Sequence, residues 1–235
     1  MEFFFQKQGY MILKEYPEIY GFECEFNQEM YHDDLYKKAD IEFPANLHQA
    51  VTKRKSEFFA GRYSCLRVLK LLQAQSKFVG VGSHREPLWP EGFTGSISHC
   101  CGSALAVISD KRQIISVGVD RENWFDEKVA KQVHDIVLSS TEKERLNTVP
   151  LQFNTALTIV FSAKESAFKA LHPLIRRFFG FDAVSVEFIA IENNKGAFRI
   201  QLDASLLRNC PCSNILTGTF SIRKDYVTTL ISLSN

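Results

Sequence analysis

The sequence predicts an α+β fold, because segments with helical periodicity and segments with strand alternation succeed one another along the chain. Apolar residues recur at every third or fourth position in 48–75, whereas apolar and polar residues alternate in four short runs after residue 183. Of the 235 residues, 45% are hydrophobic and 23% are charged, which is the composition of an ordinary globular protein. We therefore expect one large domain or two smaller ones, and no extensive disorder.

The first half is predicted to hold one long helix between two groups of strands. The helix pattern covers 48–75, and the glycine, proline and charged residues of 80–90 indicate a loop after it. Strand patterns lie at 10–13, 20–26, 94–98, 104–109 and 114–120. The segment 110–113 indicates a turn into the last of these strands.

The second half repeats this mixture of helices and strands. Helices are predicted at 127–138, from residue 140 or 141 onward, and at 155–171. Ser140 or Thr141 can cap the second of these helices with Glu144 in its first turn, and Pro173 is expected to end the third. Strands are predicted at 184–191, 198–202, 215–222 and 226–231. The pattern favours two similar halves, residues 1–112 and 113–235.

Charge and cysteine content exclude several classes of protein. The 28 basic and 27 acidic residues leave a net charge of +1, so the chain lacks the footprint of a general nucleic-acid binder. No apolar run reaches the roughly 18 residues of a membrane span, and the first residues do not resemble a signal peptide. The six cysteines have neither zinc-site nor disulfide-framework spacing and are predicted to be reduced. A cytoplasmic location is therefore expected.

Acidic residues lie at two places where metal and phosphate chemistry could occur. Asp120 and Glu122 end a predicted strand on the same side, and Gly118 on that side leaves room for a bulky ligand. Paired carboxylates at a strand end suit magnesium, although a solvated acidic turn would have the same sequence. Glu165 and Lys169 share one face of a predicted helix, where they could form a surface ion pair. Alternatively, Glu165 is a third metal ligand or a general base and Lys169 neutralises phosphate.

Basic and small residues in the first half form a third group. Arg54 and Arg62 lie two turns apart on the predicted long helix, and Arg85 lies in the following loop. Ser98 and His99 are expected at an exposed strand end. Each arginine alone is typical of a solvated surface, but together with metal carboxylates they indicate a site for a polyphosphorylated ligand.

Several of these segments together resemble the 4′-phosphopantetheinyl transferases, and in particular their enterobactin-synthase component D group. The matching segments, in order, are 54–58, 60–62, 85–90, 95–99, 117–122, 161–174 and 180–183. The resemblance spans about 54–202, most of the chain. It implies a pseudo-dimer of two similar α+β halves with coenzyme A in the cleft between them. It also implies transfer of the phosphopantetheine arm of coenzyme A to a serine of an apo carrier protein, with release of adenosine 3′,5′-bisphosphate.

The resemblance assigns roles to the residues singled out above. Asp120, Glu122 and Glu165 would hold magnesium on the pyrophosphate of coenzyme A, with Glu165 also taking the serine proton and Lys169 stabilising the transferred phosphate. The nucleotide end would be held by Arg54, Arg62, Arg85, Ser98 and His99. Glu142 would have a supporting role. The resemblance also implies a monomer that binds acidic aryl, peptidyl or acyl carrier domains of a nonribosomal siderophore pathway, and no nucleic acid.

Two features depart from the family pattern, and two other functions stay open. Arg121 stands where an aliphatic residue is usual, and strand alternation predicts that it points away from both acids. The adjacent Cys100 and Cys101 are also unusual. The same carboxylates could serve a magnesium-dependent phosphohydrolase or nuclease, or the chain could be a non-catalytic carrier-binding module.

Overall fold

The α+β prediction is confirmed. The computed structural model describes residues 1, 3–208, 210 and 212–234, and the chain divides into two compact units, Met1–Ile114 and Ile115–Asn235. Within the described ranges, no helix has the length and apolar character that crossing a bilayer requires.

Unit 1 contains a four-stranded antiparallel sheet and one long helix. Its elements are β1 (Phe5–Met11), β2 (Tyr20–Phe26), α1 (Asp34–Ala39), α2 (Thr52–Leu71), β3 (Gly80–Val81), β4 (Pro87–Leu88), β5 (Phe93–Cys100) and β6 (Ser103–Asp110). The sheet has the order β1-β2-β6-β5, while β3 and β4 pair separately in the segment that the sequence predicted as a loop.

The core of unit 1 lies between α2 and this sheet. Phe59, Val68 and Leu69 of α2 are fully buried. Burial extends around most of the helix, because α2 packs against β2, β5 and β6 and also contacts α1. Gly61 allows α2 to approach β5 closely, since an added Cβ atom would lie 3.0 Å from a side-chain carbon of Ile97. This close packing positions the basic residues of α2 beside the end of β5.

Unit 2 contains a five-stranded sheet with the order β7-β11-β10-β9-β8. Its strands are β7 (Ile114–Asn123), β8 (Val184–Glu192), β9 (Lys195–Leu202), β10 (Ile215–Ile222) and β11 (Tyr226–Ser234). Its helices are α3 (Glu127–Val137), α4 (Ser140–Leu146), α5 (Phe153–Ile175) and α6 (Ala204–Leu207). The long, largely buried α5 supplies the apolar face on which this sheet packs.

Two predicted helix ends differ from the structure. The N-cap of α4 is Ser139, whose hydroxyl accepts from the N–H of Glu142 while the Glu142 carboxylate accepts from the N–H of Ser139. The capping pair is therefore Ser139–Glu142, because it closes both hydrogen bonds. Helix α5 continues through Pro173 to Ile175 and ends at Arg176, which has a left-handed conformation.

The prediction that all cysteines are reduced is wrong for one pair. Cys210 and Cys212 form a disulfide, although their spacing matches no disulfide framework. Cys24, Cys65, Cys100 and Cys101 are free thiols, and the first two are buried.

Candidate active site

Strand β7 and helix α5 bring the predicted catalytic residues of unit 2 together. Ser116 donates to the carbonyl of Ala170 at 2.6 Å, so this side of β7 faces α5. A Cβ atom on Gly118 would lie 1.8 Å from the Ser166 carbonyl oxygen. The expectation that Gly118 leaves room for a ligand is therefore wrong, because the backbone of α5 occupies that space. The glycine instead lets the helix and strand approach, which places Asp120 beside α5.

Asp120 is buried and held by two donors from α5. Its Oδ1 accepts from Lys169 Nζ at 2.7 Å, and its Oδ2 accepts from the Ser162 hydroxyl at 2.8 Å. Lys169 also donates to the carbonyl of Val119 at 3.2 Å. Lys169 therefore lies against Asp120, and Ser162 is a site residue that the sequence reasoning missed. The sequence feature that could have identified Ser162 is its position three residues before Glu165, on the same helical face.

Hydroxyl groups behind Asp120 connect α5 to β11. Thr229 donates to the Ser162 carbonyl at 2.8 Å and lies 2.7 Å from the Ser166 hydroxyl. Both serines and Thr229 are buried. Because each of these hydroxyls has a partner, the network fixes the carboxylate of Asp120 without an unsatisfied polar group.

Glu122 and Glu165 lack the compensation that Asp120 has. Burial raises the pKa of Glu122 to about 7, and the charges of Asp120 and, more weakly, Glu165 act in the same direction. Burial, followed by the charge of Asp120, also raises the pKa of Glu165, which Lys169 partly opposes. The three carboxylates are thus close enough to repel one another, and the nearby charge of Lys169 partly offsets this repulsion.

The donor chemistry of these carboxylates fits a hard divalent cation. Mutual repulsion that raises the pKa of an acid is relieved when a cation binds among the carboxylate oxygens. In the part of the chain that the structure describes, however, no three His, Cys, Asp or Glu side chains stand in a ready metal-binding arrangement. Asp120 Oδ1 accepts from the Lys169 ammonium group, so a metal at that oxygen would compete with Lys169.

Arg121 points away from this cluster, as strand alternation predicts. Its Nε donates to the hydroxyl of Thr228 at 3.1 Å, and its guanidinium lies 4.3 Å from the ring centroid of Tyr226. Only 3% of the residue is exposed. The unusual arginine is therefore held by β11 and leaves the carboxylate side of β7 unchanged.

A fully buried ion pair anchors α5 on the side of Lys164, about 100° around the helix from Glu165. Lys164 donates to Glu142 at 2.8 Å, to the carbonyl of Val137 at 2.7 Å and to that of Phe181 at 3.1 Å. The other oxygen of Glu142 accepts from the N–H of Val186 at 2.8 Å. Sequence reasoning missed Lys164, although a lysine in the apolar stripe of a helix was a visible signal. Glu142 thus contacts Lys164 and β8, which agrees with the structural rather than catalytic role expected for it.

In unit 1, the structure brings Arg54 and His99 together. Arg54 Nη1 donates to His99 Nε2 at 3.2 Å, which places the imidazole proton on Nδ1, 3.7 Å from a carboxylate oxygen of Glu57. Burial raises the pKa of Glu57, while Lys53 and Arg54 act to lower it. Helix α2 thus holds a cation at the exposed end of β5, where an anion could bind.

Arg62 lines a cavity of about 780 Å³ in unit 1 and lies near Arg54, since both guanidinium groups approach the ring of Phe58. Its guanidinium stacks 4.5 Å from the ring centroid of Phe58 and donates to the carbonyl of Gly80 at 3.0 Å. Its Nε is buried and makes no hydrogen bond to the described residues. Burial also lowers its pKa. A buried guanidinium with an unused donor suits an anionic or polar ligand group.

The remaining two residues of the predicted nucleotide set are placed differently. Arg85 lies exposed in the turn between β3 and β4, with a left-handed φ of 67°. Ser98 is buried and lies on the face of β5 opposite His99, because neighbouring strand residues alternate. The structure thus joins Arg54 and His99 directly, brings Arg62 to the Phe58 ring beside Arg54, and leaves Arg85 and Ser98 in separate surroundings.

Comparison with known families identifies the class to which this chain belongs. A profile of the 4′-phosphopantetheinyl transferase N-terminal domain matches residues 43–109, and a profile of the 4′-phosphopantetheinyl transferase superfamily matches residues 116–231. The two matches cover both groups of residues described above. The chain belongs to the 4′-phosphopantetheinyl transferase superfamily.

Individual relatives agree with this classification. Enterobactin synthase component D of Salmonella typhi is 40% identical over 140 residues, which are 60% of this chain and 57% of that protein. The component D of Escherichia coli K12 is 44% identical over 127 residues, 54% of this chain and 59% of that protein. The matches thus span little more than half the length of these relatives. The 4′-phosphopantetheinyl transferase PptT of Mycobacterium tuberculosis is 31% identical over 189 residues, covering 79% of this chain and 82% of that protein.

Proposed function

We propose that this protein is a magnesium-dependent 4′-phosphopantetheinyl transferase of the holo-[acyl-carrier-protein] synthase type. It would move the phosphopantetheine arm of coenzyme A onto a serine of an apo carrier protein. The observation that carries the proposal is the cluster of Asp120, Glu122, Glu165 and Lys169 on β7 and α5, within the segment that matches the superfamily.

The proposed reaction breaks a phosphoanhydride bond of coenzyme A and forms a phosphodiester bond to serine. The serine oxygen attacks the phosphorus that carries the pantetheine arm, the bond from that phosphorus to the bridging oxygen breaks, and adenosine 3′,5′-bisphosphate leaves. Glu165, directly or through a water, accepts the serine proton. Lys169 moves from Asp120 to the transferred phosphate and stabilises its charge.

Magnesium would be held by Asp120, Glu122 and Glu165 of the proposed C-terminal half, residues 113–235. When bound, it would supply positive charge to the pyrophosphate oxygens and so ease departure of the bisphosphate. Asp120 keeps its hydrogen bond from Ser162, which orients its carboxylate toward the cluster. The support for this site is the donor set and the repulsion that raises the pKa values of Glu122 and Glu165.

The nucleotide end of coenzyme A would be held by residues of the proposed N-terminal half, residues 1–112. Arg54 and His99 would contact the 3′-phosphate, since they already lie together at the exposed end of β5. Arg62 would offer its unused Nε to the same end of the ligand. Arg85 and Ser98 complete the proposed set, with Arg85 reaching from its turn and Ser98 contributing backbone groups.

The carrier and the pathway rest on the relatives. Enterobactin synthase component D among them supports a nonribosomal siderophore pathway, with aryl or peptidyl carrier domains as acceptors, while acyl carriers remain candidates. We further propose that the protein acts in the cytoplasm as a monomer and binds no nucleic acid, in keeping with its net charge of +1.

The experiment that tests the proposal is intact-mass spectrometry of an apo carrier domain incubated with the protein, coenzyme A and magnesium. The expected result is a mass gain of one phosphopantetheine arm that disappears when the metal is chelated. Aryl, peptidyl and acyl carriers are tested in parallel, with the carrier serine replaced by alanine as control. No gain on any carrier would contradict the proposal and favour the phosphohydrolase or the binding-module alternative.

A further inference from the structure

The loop that follows α5 presents an aromatic side chain to solvent directly after two arginines. Phe178 is 82% exposed, which makes it the most exposed large apolar residue among the described part of unit 2. Arg176 and Arg177, which precede it, are also exposed. An isolated apolar residue on a surface is ordinary, so the argument depends on how this one is held and where it lies.

Contacts on both sides of Phe178 fix the conformation of this loop. The N–H of Arg176 donates to the carbonyl of His172 at 2.8 Å, and the guanidinium of Arg177 donates to the carbonyl of Ser205. Phe179 packs against the core of unit 2, with its ring centroid 5.1 Å from that of Phe168. The exposed ring is therefore held in place before any partner arrives, which lowers the entropic cost of binding.

The loop lies at the end of the helical face that carries the catalytic residues. Glu165, Lys169, His172 and Arg176 follow one another at spacings of three and four, so they lie along one side of α5. Eleven residues separate Glu165 from Arg176, which corresponds to about 16 Å along the helix. A compact domain of about 100 residues has a radius of gyration of about 13 Å. A carrier domain with its serine at Glu165 could therefore also contact this loop.

The charges around the loop favour an acidic partner. Residues 176–180 contain two arginines and no acid. The acids that follow nearby are engaged, because Asp182 interacts with buried Lys164 and the Asp203 carboxylate accepts from the N–H of Ser205 at 2.8 Å. A rigid aromatic anchor bordered by guanidinium groups has the composition of an interface hot spot.

We propose that Arg176, Arg177 and Phe178 form a docking surface for an acidic surface patch of the apo carrier protein. Phe178 packs against an apolar side chain of that patch, and the two arginines pair with its carboxylates. The contact places the carrier serine near Glu165, so this inference rests on the transferase function proposed above and names the surface that recognises the acceptor.

The test compares Phe178→Ala and Arg176→Glu with matched controls on the full-length protein. Ile12→Ala removes a side chain that is 84% exposed in unit 1, and Arg145→Glu reverses an exposed charge on α4. With coenzyme A saturating, both loop variants should raise the KM for the carrier about tenfold or more, while kcat and the dissociation constant for coenzyme A stay unchanged. Added salt should raise the KM of the wild-type protein more than that of Arg176→Glu.

Failure of the docking surface and failure of the proposed transferase function give different experimental results. An unchanged carrier KM in both loop variants, or an equal rise in the control variants, would overturn the docking surface while leaving the transferase intact. Loss of binding to vesicles of anionic phospholipid in Phe178→Ala, with an unchanged carrier KM, would assign the loop to a membrane and also overturn it. If the wild-type protein transfers no arm, the proposed function fails. Binding of apo carrier without coenzyme A then tests the surface, and equal affinities of wild type and Phe178→Ala would overturn it.

Discussion

The carboxylates on β7 and α5 differ in how their charge is compensated. Asp120 has an ammonium and a hydroxyl donor, whereas Glu122 accepts one bond from the N–H of Asn123 at 3.1 Å. Burial, followed by the charge of Asp120, raises the pKa of Glu122 to about 7. The same two causes raise the pKa of Glu165. The three acids thus differ in their hydrogen-bond partners, which is the basis for dividing the proposed roles of metal ligand and base among them.

Replacing the proposed base tests this division at a single residue. Glu165→Gln should lower transfer about 10²- to 10⁴-fold, because the amide cannot accept the serine proton. Binding of coenzyme A should persist and weaken, since a metal ligand is lost. Single-turnover transfer and equilibrium binding measure the two effects separately. Glu144→Gln, an exposed change on α4, is the control, and near-normal turnover of Glu165→Gln would refute the assigned role.

The raised pKa of Glu122 predicts how stability depends on pH without metal. Because the folded protein holds this proton more tightly than the ordinary pKa of 4.5 allows, the contribution is full below pH 4.5 and is lost as pH rises through about 7. Relative to Glu122→Gln, the wild-type protein should lose about 1–2 kcal/mol over this window, after a discount for partial exposure. Urea unfolding at several pH values measures the difference.

Magnesium supplies the control for that prediction. A bound cation favours the charged carboxylates, so saturating magnesium should remove most of the pH dependence from the wild-type protein and little from Glu122→Gln. Parallel stability curves for the two proteins without metal would contradict the raised pKa. An unaltered wild-type curve in magnesium would contradict the metal site.

At the scale of elements, the contact of β7 with α5 positions Asp120. Gly118→Ala should destabilise unit 2 by about 3 kcal/mol or more, because its Cβ atom would lie 1.8 Å from the Ser166 carbonyl oxygen and 2.7 Å from the Ala170 nitrogen. Gly9→Ala on β1 is the control, since a Cβ atom there meets nothing within 4 Å. Denaturant unfolding compares the two, and equal stabilities would show that β7 does not need this close approach.

The buried pair of Lys164 and Glu142 fixes α5 to α4 and β8. Lys164→Met should cost about 3–5 kcal/mol, because it leaves the Glu142 carboxylate buried without its cation. The double variant Lys164→Met/Glu142→Gln should recover part of that loss, since no unpaired charge remains. Thermal unfolding of the four members of this cycle measures the coupling. A double variant less stable than Lys164→Met would count against this explanation.

For the whole molecule, binding of the proposed substrate should appear as protection against unfolding. Coenzyme A with magnesium at about 100 times its dissociation constant should add about 2.7 kcal/mol of stability, whereas DNA should add none. Arg54→Ala should weaken the protection, because the Arg54–His99 pair loses its guanidinium. Thermal unfolding with each ligand gives the result. Protection by DNA and none by coenzyme A would favour the nuclease alternative.

Strong local patterns predicted most elements of the fold. The strands Tyr20–Phe26 and Ile215–Ile222 have the predicted bounds, and the helix over α5 was recognised from its apolar spacing. The exceptions have local causes. Helix α5 passes Pro173 because that residue lies in the last turn, where few hydrogen bonds remain to be lost. The capping serine of α4 is Ser139 because only that spacing serves both partners of the pair.

By itself, the sequence determined the alternation of helices and strands, the family to which the chain belongs, and which acids and bases are proposed to carry its chemistry. These depend on residue type and spacing, which are properties of the chain. The tertiary structure decided that α5 fills the space beside Gly118, that Lys169 pairs with Asp120, that Ser162 and Lys164 are part of the supporting contacts, and that Ser98 faces away from His99. Those facts depend on which segments pack together, because burial and neighbouring charge arise only when distant parts of the chain meet.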